Sequence, residues 1–389
     1  MLLLSFIQNV LISFIFFLFL SACQSTPLQA PASEHLFYDQ GFSGFSQISV
    51  ESEQQVFHLD DTAKVFVAST IGPMDNKMDQ METLVKAIFD RSKLNLLYRG
   101  DANTIANNTF HSQQANCLSM SIMTYALATE AGFDVDFQEI MIPEYWTRRA
   151  GFSLLNGHVN LKISAPHDPN TFVFNTRSYQ VDFDPQSSMR GLPKKVVSKQ
   201  AVLSMFYNNK GADAVLRNDY VTAYVYFRKA LVVEPNFHSA WINLGILYRL
   251  SEYFSQAEKV YQHALVINPN SLTALENLAY LYGFTERNEE SEKILAKVAS
   301  QRNRNPYYHV ILGEQEMEEK HWNQALAHFR KALALDRGKH EVYFGLARVY
   351  FEIGELQLSE RYLKLAKNNA HNKDDQNRYQ IKLEFLNNL

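Results

Sequence analysis

The chain has little cysteine: among 389 residues only Cys23 and Cys117 occur, too few for a disulfide framework. It contains no CxxC and no HExxH, and its twelve histidines are scattered without ligand spacing, so no metal is expected. Gly-rich phosphate loops are missing too, which leaves no case for a nucleotide enzyme; no cofactor is expected. Charge of one sign is nowhere concentrated. The 37 basic and 41 acidic residues leave a net charge of -4 without a block of either, so nucleic acid is not an expected partner. After residue 23 no run is long and apolar enough to cross a bilayer. What remains is an ordinary globular composition, 46% hydrophobic and 20% charged, on a chain long enough for two or more domains.

The one long apolar run stands at the start. Met1 to Leu20 leads into Leu20-Ser21-Ala22-Cys23, and the polar stretch "QSTPLQAPAS" follows. This resembles the lipobox of a bacterial lipoprotein signal peptide. The resemblance implies removal of residues 1–22, lipidation of Cys23, and a linker over 23–44. Several lipid chains would hold the protein to a membrane, since one chain binds only marginally. The alternative is a transmembrane anchor, because about 20 apolar residues can span a bilayer. The segment ahead of the apolar core carries no Lys or Arg, a departure from the usual signal-peptide pattern. Gln24 is not the Asp that resembles an inner-membrane retention signal, so the periplasmic face of the outer membrane is expected, with the inner membrane as alternative.

From residue 204 the chain repeats itself every 34 residues, with units starting at 204, 238, 272, 306 and 340. The second unit is the fullest, with Trp241, Leu244, Gly245, Tyr248, Ala257, Tyr261, Ala264 and Pro269. The first matches it through Gly211, Ala223, Phe227, Ala230 and Pro235, and the fourth through Leu312, Gly313, Ala325, Phe329 and Ala332. Units three and five put Ala279 and Ala347 at the glycine position, and Ser291 and Ser359 at that of the alanine. The pattern resembles the tetratricopeptide repeat, in which small residues let paired helices cross closely while aromatics fill the space between units. It implies an all-α superhelix over 204–373, closed by a capping helix at 374–389. Position six of the unit is Asn209, Asn243 and Asn277 in succession. The resemblance turns that position toward the groove, where three amides can pair with the backbone of an extended peptide. A protein or peptide partner in the groove is therefore expected.

Residues 45–200 differ in kind. Helical periodicity in "DDTAKVFVAST", "MDQMETLVKAIFDRS" and "NCLSMSIMTYALATEAG" is followed by strand-like runs "FDVDFQEIMI", "HVNLKIS", "TFVFN" and "YQVDFD", the middle pair joined by "APHDPN" as a hairpin. Helices followed by an antiparallel sheet predict an α+β domain. Within that order Cys117 opens a helix, His158 opens a strand, and Asp182 lies in a later strand. "NCLSMSIMTYALATEAG", "GHVNL" and "VDFDP" together resemble the core of the transglutaminase-like, papain-related cysteine enzymes over roughly residues 80–185. The resemblance implies a Cys117–His158–Asp182 triad. A helix start favours thiolate over thiol, and its free N–H groups can receive an oxyanion. Alternation along the strands sets His158 and Asp182 on faces opposite to Val159, Leu161, Val181 and Phe183. His111 and His167 are rivals for the histidine, and Asp184 for the acid. Gln113, Gln114 and Asn116 stand close enough to Cys117 to assist an oxyanion hole, or else to cap the helix. "PEYWTRRAGFSLLNG" reads as a long loop, a candidate lid carrying Tyr145, Trp146, Arg148 and Arg149.

Two classes of function follow. One is a lipid-anchored periplasmic cysteine enzyme, a peptidase or acyltransferase, acting on peptide or protein amides. The other is a scaffold whose enzyme-like domain is inactive and whose repeats bind protein.

Overall fold

A computed structural model describes residues 34–89, 94, 96–141, 146–149, 152–155, 158–166, 178–183, 193–370 and 373–387. Cys23 and the whole of 1–33, "TFVFN", His167, Tyr145 and Asp184 lie outside the described residues. Residues 38–389 form one compact unit.

Its first part is a set of helices laid around a small sheet. Helix α1 (Glu53–Phe57) starts with a reciprocal cap: the Ser52 hydroxyl accepts from the Gln55 N–H at 3.2 Å, and the Gln55 side chain accepts from the Ser52 N–H at 2.7 Å. Helix α2 (Asp61–Ile71) is capped by Asp60, which accepts from the Ala63 N–H at 2.9 Å. Then follow α3 (Lys77–Phe89), β1 (Leu97–Tyr98), α4 (Ala106–Ser112), and β2 (Gln114–Ala115), which pairs in parallel with β1. Helix α5 (Cys117–Glu130) runs through the middle, and residues on every side of it are buried, from Leu118 to Ala128. It stops where Gly132 takes φ +78°, a left-handed conformation that lets the Phe133 N–H reach back to the Ala128 carbonyl at 3.1 Å.

Strands β3 (Asp134–Ile140), β6 (His158–Ser164), β7 (Ser178–Val181) and β8 (Lys194–Val197) make an antiparallel sheet in the order β7-β6-β3-β8. Phe137 of β3 lies opposite Leu161 on one side and Val197 on the other, and it stacks on Tyr125 of α5 with ring centroids 4.6 Å apart. One expectation is corrected here, and one strand is new. The stretch read as a long loop contains a two-stranded ribbon, β4 (Trp146–Arg149) paired with β5 (Phe152–Leu155). Aromatic and branched residues on both sides of a two-residue connection containing Gly151 favour a hairpin. Strand β8, "KKVV", was not expected, because two lysines mask the alternation. Val196 is 59% exposed, and such an edge strand owes its place to pairing with β3 and tolerates lysine.

The second part is a stack of helix pairs: α6 (Lys199–Leu216) with α7 (Tyr220–Val233), α8 (His238–Leu250) with α9 (Phe254–Ile267), α10 (Leu272–Phe284) with α11 (Asn288–Arg302), α12 (Pro306–Glu318) with α13 (Trp322–Leu335), and α14 (His340–Glu352) with α15 (Leu356–Asn369). Helix α16 (Lys373–Asn387) ends the stack, buries Tyr379 and Leu383, and packs them against Ala347, Leu363 and Ala366. The first helix begins at Lys199 behind its cap Ser198, earlier than the repeat pattern at 204 suggests.

The crossing of each pair depends on two positions that change size together. A Cβ added at Gly211 would stand 2.6 Å from the Phe227 ring, and one at Gly245 would run into Tyr261. In units three and five the glycine becomes Ala279 or Ala347, and the ring becomes Leu295 or Leu363. The methyl gained on one helix is offset by the ring lost from the other. In unit five the Ser359 hydroxyl also donates to the Ala347 carbonyl at 2.9 Å, a bond open to a small polar residue at a close crossing.

The two parts are joined at several points. Lys199 of α6 pairs with Glu53 at 3.0 Å and lies 4.3 Å over the Phe57 ring, which itself meets Tyr125 of the Cys117 helix edge-on at 5.3 Å. The Asn103 amide donates to Asp213. The linker expectation for 23–44 is corrected at its end, since residues from Tyr38 onward pack on the first two repeats. Aromatic rings spaced closely along that segment supply enough apolar surface to hold it there.

Candidate active site

Cys117 is the first residue of α5 and is half-buried. Asn116 is the helix cap. Its Oδ1 accepts from the Ser119 N–H at 2.9 Å, and its amide N–H donates to Asn103. With its oxygen and one amide N–H engaged, Asn116 holds the helix start in place, the capping alternative of the sequence reading. Gln114 turns to Arg99, whose guanidinium donates to its Oε1 at 3.0 Å. Gln113 takes φ +57° at the end of α4. At the start of α5 the Ser119 N–H is taken by the cap and the Met120 N–H by the Asn116 carbonyl, while helix geometry gives those of Cys117 and Leu118 no partner within the helix.

His158 comes to Cys117 because strand β6 is tied to the helix one turn below the thiol. The Ser121 hydroxyl, four residues after Cys117, donates at 3.1 Å to the carbonyl of Val159, the residue after His158. His158 is 2% exposed, its Nε2 lies 2.6 Å from Asp182 Oδ1, and its side chain hydrogen-bonds Cys117. Asp182 occupies Nε2, so Nδ1 is the ring nitrogen that serves the sulfur. The register explains how the acid arrives. Leu161 faces Val181, so extending the pairing by one residue puts Asp182 opposite Asn160, diagonal to His158 and on its face of the sheet. His111, the rival histidine, pairs instead with Asp60 at 2.7 Å. The side chains of Trp146, Arg148 and Arg149 lie outside the described residues.

Burial is the largest influence on His158 and on its own lowers the pKa of the ring. It is outweighed by the Asp182 hydrogen bond, then by the Cys117 hydrogen bond and the charges of both, and the pKa rises from 6.5 to about 10. The imidazolium therefore persists at neutral pH. A raised folded-state value stabilises the fold fully below about pH 6.5, and the contribution is lost as pH climbs toward about 10. The thermal midpoint of the wild-type protein is accordingly expected to fall across that window. Calorimetry of His158→Gln should show a shallower fall, and parallel curves for the two proteins would exclude the coupling.

Three neighbours were not singled out from sequence. Ser121 could have been found from its i+4 spacing to Cys117. Lys194 lies in the same cross-strand row as His158, opposite Ile140; burial lowers its pKa and the Asp182 charge opposes that shift. Asn160 is fully buried, and among the described residues neither atom of its amide has a hydrogen-bond partner. Asn160 thus shares the buried face of His158, and Val159, Leu161 and Ile163 on the other face of β6 are buried as well.

The amide ladder is partly used within the repeats. Asn243 donates to Asn208 Oδ1 at 2.8 Å, and Asn277 donates to the Thr273 carbonyl of its own helix at 2.9 Å. Glu316, Glu319 and His321 present ligand-type atoms close together on the surface, with His321 Nδ1 at 3.0 Å from Glu316 and 3.4 Å from Glu319. Among the described residues no helix is long and apolar enough to cross a membrane.

Comparison with known proteins bears on the second part of the chain. The Tetratricopeptide repeat family matches residues 240–273 and 316–382. Among solved structures, one titled for the functional characterization of Pseudomonas aeruginosa pilF is 20% identical, covers 49% of this chain and 94% of that one, and has a TM-score of 0.27. A MamA structure is 17% identical over 43% of this chain and 91% of its own, with a TM-score of 0.24. YrrB, titled a TPR protein with an unusual peptide-binding site, is 15% identical over 46% of this chain and 91% of its own, also at 0.24. No curated protein matches the chain. The C-terminal part of this protein is built of tetratricopeptide repeats.

Proposed function

We propose that this protein binds a protein partner through its repeats and acts on an amide of that partner through a Cys117 thioester. The repeat array supports the first half, since tetratricopeptide folds bind peptides or proteins. By itself the array fits an interaction scaffold. The observation that favours chemistry as well is the hydrogen-bonded chain Cys117–His158–Asp182 at the start of a buried helix.

In this reading the Cys117 proton is held on His158 Nδ1, and the thiolate attacks the amide carbon. The carbonyl π pair moves onto oxygen, which the first-turn N–H groups receive. As the pair returns, the C–N bond breaks, and the imidazolium gives its proton to the departing nitrogen. The products are an amine and a thioester on Cys117. Water or a second amine then attacks the thioester, gives its proton to His158, and restores the thiolate–imidazolium pair. Asp182 keeps the ring oriented and offsets its charge. A transglutaminase-like, papain-related domain held by a lipid at Cys23 to the periplasmic face of a bacterial outer membrane belongs to the same proposal.

The test is site-resolved mass spectrometry after brief iodoacetamide treatment at neutral pH. Cys117 is expected to be alkylated in the native protein at least as fast as in urea. A thiol that reacts only after unfolding would leave the scaffold reading in its place.

A further inference from the structure

We propose that the first two repeats carry a peptide-recognition site for an acidic-x-glycine-aromatic segment, and that the chain fills this site in cis with its own Asp39-Gln40-Gly41-Phe42. The claim is independent of the thiol chemistry and uses other residues than the amide ladder.

The segment is held as a bound peptide is held, through backbone and side chains together. The Tyr38 N–H donates to the Tyr248 hydroxyl at 2.9 Å, and the Tyr253 hydroxyl donates to the Gly41 carbonyl at 3.0 Å. Those two bonds read backbone alone. The Asp39 carboxylate accepts from the Tyr224 hydroxyl at 2.5 Å and from Arg228 Nε at 3.1 Å, which demands an acid. Phe42 is 3% exposed. It stacks on Tyr224 at 4.4 Å with an interplanar angle of 5°, lies 6.0 Å from Tyr248, and meets Tyr253 edge-on at 5.8 Å. Three tyrosines thus form a cage that demands a ring. At Gly41 a side chain is excluded, because a Cβ there would stand 2.5 Å from the Tyr38 ring and 2.8 Å from Tyr253.

The segment is also separable from the rest of its chain. It is built from two 3-10 turns, Asp39–Gly41 and Phe45–Gln47, with no strand pairing and no long helix. The next firm anchor is Glu51, whose carbonyl accepts from Tyr207 at 2.6 Å and whose carboxylate accepts from Tyr226 at 2.8 Å. Release of residues 38–47 therefore breaks the cage contacts without undoing the Glu51 anchor. The cage residues belong to α7, α8 and the turn before α9, so they remain in place when the segment leaves. Another polypeptide with the same chemistry can then enter.

A short tether holds the cis segment at an effective concentration of order millimolar. A free peptide therefore competes poorly with it until it is weakened. The test uses a fluorescent peptide, YDQGFSGFSQ, and the full chain in two forms, wild type and Asp39→Ala/Phe42→Ala. In anisotropy titrations the double variant is expected to bind at least tenfold more tightly than wild type. A peptide with alanine in place of its glycine should lose at least tenfold. Equal affinity for both proteins, or no loss with the alanine peptide, would overturn the site. Hydrogen exchange on wild type alone decides the matter if the variant fails to fold. Saturating peptide should accelerate exchange at the amides of residues 38–42, and unchanged exchange would show that the segment is a permanent part of the fold.

Discussion

In His158→Ala, alkylation of Cys117 by iodoacetamide at neutral pH is expected to slow by roughly 10²-fold, the lower end of what a positioned proton acceptor contributes. Cys117 is half-buried. What the substitution removes is the ring that hydrogen-bonds Cys117 and, in the proposed mechanism, takes its proton. Asp182→Asn should slow the reaction less, since the amide oxygen can still accept from Nε2 while the charge behind the ring is gone. The ordering matters more than either size. Wild type fastest, Asp182→Asn between, and His158→Ala slowest would show that the three residues act as a chain. Equal rates in all three proteins would reduce Cys117 to a packed thiol. Hydrogen exchange at the amides of α5 in each variant guards against unfolding of the part that carries Cys117.

Phe329→Ala is expected to cost about 3–5 kcal/mol, the range for emptying a fully buried aromatic site. Phe329 has no exposed surface and joins two units. Its ring abuts Gly313 of its own unit, where an added Cβ would stand 2.9 Å away, and Gly345 of the next, where one would collide with it. Around it lie Val310, Leu326, Val342 and Leu346. Loss of the ring therefore weakens both a helix pair and the boundary between units four and five. In a stack stabilised by neighbour contacts, that boundary should become the place where the array parts. Urea unfolding followed by circular dichroism should show a new early transition for the last unit and α16, with the earlier units melting later. A single transition shifted as a whole would show that the stack unfolds as one cooperative body.

The repeats were legible because their physics is local. A 34-residue period, with glycine against an aromatic and alanine against leucine, encodes the helix crossing within each unit, and the contact partners stand only sixteen residues apart, as in Gly245 and Tyr261. The start of α5 was equally legible, since a cap and a closing glycine act within a few residues. The ribbon at 146–155 and strand β8 were not. A short strand with weak alternation is set by its neighbour, and β8 exists because β3 offers an open edge.

Sequence alone thus determined the helix that presents Cys117, the strand that begins with His158, and the five helical pairs, all of them products of periodicity and capping. Only the tertiary structure decided which nitrogen of His158 meets Asp182, and that residues 38–42 lie in a tyrosine cage. Those contacts join residues between 24 and 210 positions apart, as in His158 with Asp182 and Tyr38 with Tyr248. Their energy comes from groups that no local pattern brings together, and it is gained when the chain packs.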